Sequence, residues 1–445
     1  MRVTIEPGYS VQAVRKGGTV MNIREIKSSI LNEQYYAIKH PTGLNIYVMP
    51  KENYSSTYAI FGTKYGSIDN KFKRSDSDTW TEVPEGIAHF LEHKLFESEE
   101  LDAFARYAKT GASANAYTSF DKTCYLFQCS ANFRESLEIL LDFVQNPYFT
   151  AQTVQKEQGI IGQEITMYQD VAGWMSMFNL LRCLYHNHPV RIDIAGTVES
   201  ISHITDKLLY DCYNTFYNLN NMALAVVGNV TVDEVMSVCD RCLKQAEPLS
   251  IERAFEDEPD SIVQNYEEYH LAMSVPVFSF GYKLACEKPV QSQRDYIETG
   301  ILLDIIAGET SPLYNDLYNN GLINDSFSKE YFIGYGYEAV IFEGESVDAQ
   351  AVASAIKSEI ARLKKEGIDA DLFEGVRRSL YGREIMSYND IDAIANSLVA
   401  CDFNGWDMFE AMDIYRDVTL QDIESRLATM FDDSRCALSV VKNKE

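Results

Sequence analysis

Two kinds of hydrophobic spacing alternate along this chain. Apolar residues three and four apart predict helices over 134–144, 205–216, 348–365 and 370–380. Between such segments stand short apolar runs, Ala223-Leu224-Ala225-Val226-Val227 and Ala437-Leu438-Ser439-Val440-Val441, of the kind that forms buried strands. Small and larger residues alternate over 113–119, and residues 122–129 follow; the two stretches predict an antiparallel pair joined at an Asp121-Lys122 turn. The aromatic run 327–337 reads as strands and their turns rather than as a cofactor box.

The helix-then-strand pattern occurs twice. Residues 205–229 and 419–443 align without a gap at a spacing of 214 (419 − 205). Two homologous domains follow, each expected to be an antiparallel sheet covered by helices, an α+β arrangement. Length agrees, because 445 residues exceed what one compact core ordinarily holds. The acid-rich stretch 247–264, with Pro248 and Pro259, has linker character and sets the domains at 21–246 and 265–445. Gly8, Gly17 and Gly18 interrupt any period in residues 1–20, which are expected to be unstructured or to precede a true start at Met21.

The chemistry concentrates in His89-Phe90-Leu91-Glu92-His93. On a helix, positions i, i+3 and i+4 share a face, so His89 and His93 can offer ring nitrogens to one ion with Glu92 beside them as general base. This HxxEH order is the inverse of HExxH. A solvated helix with incidental histidines is the competing reading, and the apolar neighbours Ile87, Ala88, Phe90, Leu91 and Leu95 argue against it. Pro84 suits the start of that helix. Downstream, Glu157 and Glu164 stand seven apart, two turns along one helix face, with Ile160 and Ile161 between them and Ile165 after them. Carboxylates on an apolar face are costly unless paired, which points them at a cation.

Charge and cysteine usage narrow the setting. A net charge of −27 argues against nucleic-acid binding and would favour basic peptides as ligands. The 9 cysteines form no regular framework, and Cys239-x-x-Cys242 lacks a second such pair, so both read as packed thiols on a helix in a reducing compartment. No apolar run has the length of a signal peptide or a membrane span; a cytoplasmic location is expected.

With these residues in view, the chain resembles the insulinase (pitrilysin) family of metallopeptidases, in the processing-peptidase-like branch of about half-length bacterial chains. The resemblance rests on HFLEH, on KEQGIIGQE from Lys156 to Glu164, on Gly111-Ala112-Ser113-Ala114-Asn115-Ala116-Tyr117-Thr118, and on His188-Pro189 leading to Ala195-Gly196-Thr197-Val198-Glu199-Ser200-Ile201. It is nearest to the zinc-bearing member of the paired peptidases of Bacillus-like bacteria. The resemblance implies a LuxS/processing-peptidase fold, one Zn2+ per chain held by His89, His93 and Glu164, Glu92 as general base, and Glu157 as an acid that orients a ligand imidazole. It further implies that the strand through Ser113 is a sheet edge capturing extended peptides, with Asn115 and Ala116 flanking the scissile bond. The bland reading of that strand is an ordinary hairpin with a turn-forming asparagine.

Two departures bear on the unit of function. At the repeat spacing, Leu303, Ile306 and Ala307 stand where His89, Glu92 and His93 stand in the first half, so the second half has no metal site. Family members that act alone place an arginine and a tyrosine in the stretch matching 313–323, and this chain has no arginine there, leaving Tyr318 as a weaker substitute. The resemblance therefore implies a homologous sister subunit that supplies the pair, in a heterodimeric clamshell around a peptide chamber. The alternatives are a homodimeric peptidase and a noncatalytic scaffold subunit; the intact His89, Glu92, His93 and Glu164 set argues against the last.

Overall fold

The computed structural model describes residues 9–16, 19–286 and 291–444. The first sheet has eight strands, in the order Tyr9–Lys16, Thr19–Ser28, Glu33–Lys39, Asn45–Pro50, Met222–Gly228, Thr57–Thr63, Thr123–Cys129 and Ser113–Thr118. The second has five: Tyr266–Leu271, Cys436–Asn443, Val277–Lys283, Tyr337–Glu345 and Ser328–Gly334. The five strands from Asn45–Pro50 onward in the first sheet and all five of the second follow one plan. In each the first pair is parallel and every later pair antiparallel. The repeat at 214 is thus a repeat of topology: Met222–Gly228 and Cys436–Asn443 hold the same place in their sheets. Met222–Gly228 and Thr57–Thr63 are buried throughout, as their lack of polar alternation requires.

The compact units are not continuous in sequence. One runs through residue 161 and adds 194–254 and 385–410; the other comprises 162–193, 255–384 and the chain from 411 onward. In the first unit, helix Ile391–Asn404 packs on strands Thr57–Thr63 and Met222–Gly228; in the second, helix Ala172–Leu184 packs on Val277–Lys283 and Cys436–Asn443. Each half of the sequence lends a helix to the other half's sheet. A glycine makes room beneath each one. A Cβ on Gly62 would lie 3.0 Å from Val399, and one on Gly281 would lie 2.9 Å from Leu180. The two contacts are repeat-related, since 281 − 62 and 399 − 180 are both 219.

The stretch 247–264 is anchored in both units. Ile251–Arg253 pairs with Lys71–Arg74 in a small sheet, and Arg253 binds the buried Asp69. Further on, Glu258 accepts the backbone N–H groups of His186, Asn187 and His188 at 2.6–2.9 Å and pairs with Lys283, which hold its carboxyl below the usual carboxylate range despite burial. Residues 9–16 pair antiparallel with 19–26 although the glycine-interrupted pattern predicts no strand, because edge pairing uses backbone groups alone. Residues 1–8, 17 and 18, and with them the question of the starting residue, lie outside the described residues.

The predicted helices appear as Phe133–Gln145, Asp206–Phe216, Ala349–Glu366 and Ala370–Ser387. Thr205 and Asp348, placed inside helices by the pattern, are their N-caps, each accepting a backbone N–H with its side chain. Cys239 is buried and Cys242 partly buried on helix Val232–Cys242. No helix among the described residues is long and apolar enough to cross a membrane.

Candidate metal centre

The HxxEH helix spans Ile87–Leu95 and begins later than Pro84 suggests, because its start is set by Gly86. Gly86 has φ +84, and a Cβ there would lie 2.3 Å from the Ala195 carbonyl oxygen. Gly196, at φ +73, faces the Glu85 carbonyl in the same way, and the Ser200 hydroxyl donates to that carbonyl at 3.0 Å. The Ala195-to-Ile201 motif is therefore the socket that receives the first turn of the HxxEH helix. Ile87, Ala88, Phe90, Leu91 and Leu95 are buried, which turns His89 and His93 toward the partly exposed side.

Helix Ala151–Tyr168 brings the two downstream acids to that side. Val154, Glu157, Ile161 and Ile165 form its buried face with Glu164 at the margin, whereas Ile160 is 45% exposed and lies off the face assigned to it by sequence. Glu157 and Glu164 both lie on this one helix. Ligand atoms of His89, His93 and Glu164 lie within 4.8 Å of one another. The two imidazole rings meet edge to face with centroids 4.6 Å apart.

Two further contacts organise the cluster. Glu157, 6% exposed, stands 3.0 Å from His93 Nδ1. A carboxylate there favours the tautomer with hydrogen on Nδ1, which leaves the Nε2 lone pair as the donor to an ion. Burial, with His93 adding to it, pushes His89 down to about 3, so its ring is neutral at physiological pH and chemically ready to ligate. Two neutral imidazoles and a carboxylate converging at this range fit zinc, which accepts nitrogen and oxygen donors and in hydrolytic sites takes three protein ligands.

Glu92 lies on the same helix as the two histidines. It is 8% exposed, and the Thr118 hydroxyl donates to its Oε2 at 2.7 Å. Thr118 ends Ser113–Thr118, the last strand of the first sheet, so no further strand pairs with its outer side among the described residues. The hairpin has the predicted register, Ser113 opposite Gln128 and Thr118 opposite Thr123. Asn115 is exposed, and its Oδ1 accepts the Ala116 N–H at 2.9 Å. The contact of Thr118 with Glu92 was not legible from sequence; the only signal was the strand alternation, which puts Thr118 with Ala114 and Ala116 on one face. In the second unit Leu303, Ile306 and Ala307 are buried in the hydrophobic core, and Tyr318 is 45% exposed on helix Pro312–Asn319.

Residues 78–198 match the family described as Insulinase (Peptidase family M16), and residues 203–380 match the Peptidase M16 inactive domain. The chain is 39% identical over 410 residues to the uncharacterized zinc protease YmfH of Bacillus subtilis, covering 91% of this chain and 95% of that protein. Over 163 residues it is 32% identical to the human mitochondrial-processing peptidase subunit beta, covering 34% and 32% of the two chains. Among solved structures, a putative M16-like peptidase from Alicyclobacillus acidocaldarius superimposes with a TM-score of 0.88 at 32% identity, over 99% of this chain and 100% of that one.

Proposed function

Because this chain belongs to the insulinase family, peptidase family M16, we propose that it is a zinc-dependent endopeptidase acting on short or unfolded peptides, with its metal held by His89, His93 and Glu164. The observation that carries this reading is the convergence of those three donors within 4.8 Å, beside a buried carboxylate, Glu92, on the same helix as the histidines. The name zinc protease borne by YmfH supports it.

When bound, zinc supplies Lewis-acid chemistry, acidifying a water and polarising a scissile carbonyl. Glu92 is the general base that accepts the proton of the attacking water and returns it to the leaving amine. Glu157 holds the His93 ring through Nδ1. The strand Ser113–Thr118 binds an extended peptide by main-chain hydrogen bonds, which reads backbone rather than side chains, and Asn115 and Ala116 flank the bond to be cut.

We assign the chain to the zinc-bearing side of a pair in which a homologous sister subunit provides the arginine and tyrosine that 313–323 does not contain as a set. The likeness to a protein named as a subunit and the match of 203–380 to an inactive domain support this. No disulfide joins any of the nine cysteines, in keeping with the cytoplasmic setting we propose.

The test is peptide cleavage by the zinc-loaded chain and its Glu92→Gln variant, each with and without a homologue carrying the arginine-tyrosine pair. Glu92→Gln should keep its zinc and lose about 10²-fold or more in kcat. Equal turnover in the variant removes Glu92 from the mechanism, and full activity without the homologue removes the partner.

A further inference from the structure

We propose that Thr118 is the positioning residue for Glu92, so that the general base is aimed by the very strand on which the peptide lies. The inference rests on the reading of Glu92 as base and of Ser113–Thr118 as the peptide edge. A glutamate side chain turns about three bonds, so its carboxylate needs a fixed hydrogen-bond partner to keep one direction. Here the Thr118 hydroxyl donates to Glu92 Oε2 at 2.7 Å, which fixes one oxygen and with it the direction of the carboxylate.

Thr118 is itself held from several sides. Its backbone pairs with Thr123, and the Ser119 N–H donates to the Lys122 carbonyl at 2.8 Å to close the turn. The fully buried Thr123 donates to the Tyr65 carbonyl at 2.9 Å and stands 3.4 Å from the Thr118 hydroxyl. On the opposite face of the strand, the Tyr117 hydroxyl donates to Asn396 Oδ1 at 2.8 Å. Side chains of successive strand residues point to opposite faces. One strand thus fastens to the base through Thr118 and to the covering helix Ile391–Asn404 through Tyr117. A peptide adding to its free edge takes its register from the same backbone that orients the carboxylate, so base and scissile bond share one reference frame.

The test compares Thr118→Val, which removes the hydroxyl at nearly constant shape, with Thr118→Ser, which keeps it. On the zinc-loaded chain with its sister subunit and a fluorogenic peptide, T118V should lose about 10- to 100-fold in kcat with KM within about threefold, while T118S stays within about threefold on both. Zinc content and thermal midpoint should match the wild type in both variants. A crystal structure of zinc-free T118V should show the Glu92 carboxylate turned from its wild-type direction. Wild-type kcat in T118V, equal losses in the two variants, an unmoved carboxylate, or loss of zinc or fold in T118V would each overturn the proposal. Absence of zinc-dependent cleavage by the wild-type pair would instead overturn the reading beneath it.

Discussion

Replacing Glu157 should weaken zinc binding without touching a ligand. Its carboxylate lies 3.0 Å from His93 Nδ1 and is almost wholly buried, so the contact is a charge-assisted hydrogen bond in a site that water screens poorly. Such a bond contributes about 1.5–3 kcal/mol, and about 1.4 kcal/mol is a factor of ten in an equilibrium constant. Loss of the contact should therefore raise the zinc dissociation constant about 10- to 100-fold, the range usual for a residue that supports a metal ligand. Glu157→Gln keeps size and an acceptor oxygen and belongs at the lower end; Glu157→Leu, which leaves His93 without that acceptor, belongs at the upper end. The assay is competition for zinc with a chromophoric chelator at neutral pH, with the exposed Glu199→Gln as control. Dissociation constants for both Glu157 variants within about twofold of wild type would refute the role.

Two further outcomes test the fold. Gly62→Val should lower the thermal midpoint, by about 1–3 kcal/mol of overpacking, because even a Cβ would meet both Val399 and Cys124 at 3.0 Å; adding Val399→Ala should recover part of the loss, and strictly additive effects would show that the helix does not rest there. Stability should also fall as pH drops from 6.5 toward 4. Burial depresses His188 to about 4, with Nε2 donating to the Tyr335 carbonyl at 3.1 Å and Nδ1 accepting the Val190 N–H at 3.1 Å, so the folded state binds the proton less readily than the unfolded chain. The contribution is complete above the unfolded pKa and lost through that window, about 3 kcal/mol for a shift of this size. Unfolding midpoints against pH for wild type and His188→Gln check it, and parallel slopes would count against it.

What sequence exposed was local or repetitive. HxxEH, the Asp121-Lys122 hairpin and the spacing of 214 each depend on residues within a few positions or on one shift, and all three stand in the structure. The exchange of helices did not show, because Gly62 and Val399 are 337 positions apart (399 − 62) and neither residue type announces the other. Ile160 was misplaced for a related reason. In Gly159-Ile160-Ile161 both isoleucines look apolar and inward, and only the angle fixed by Val154, Glu157 and Ile165 decides that Ile161 is the buried one. The link between Thr118 and Glu92 required knowing which face of the hairpin meets the HxxEH helix, a matter of tertiary packing.

The second repeat has Leu303, Ile306 and Ala307 where the first has His89, Glu92 and His93, yet one of its helices packs on the first repeat's sheet. Helix Ile391–Asn404 belongs to the C-terminal repeat by sequence and to the first compact unit by packing. It is tied down by polar contacts as well as by apolar burial: Asn45 and Tyr47 donate to Asp402 at 2.7 and 2.6 Å, and Lys64 donates to the Phe403 carbonyl at 2.7 Å. Asn396 on the same helix accepts from Tyr117, one residue before the threonine that holds Glu92. A cut between the repeats at 247–264 would therefore uncover strands Thr57–Thr63 and Met222–Gly228 on one face and release Tyr117 of the edge strand from Asn396. Leu303 and Ile306 are core residues of their own unit, whereas Asn396 and Val399 pack against the half that carries HxxEH.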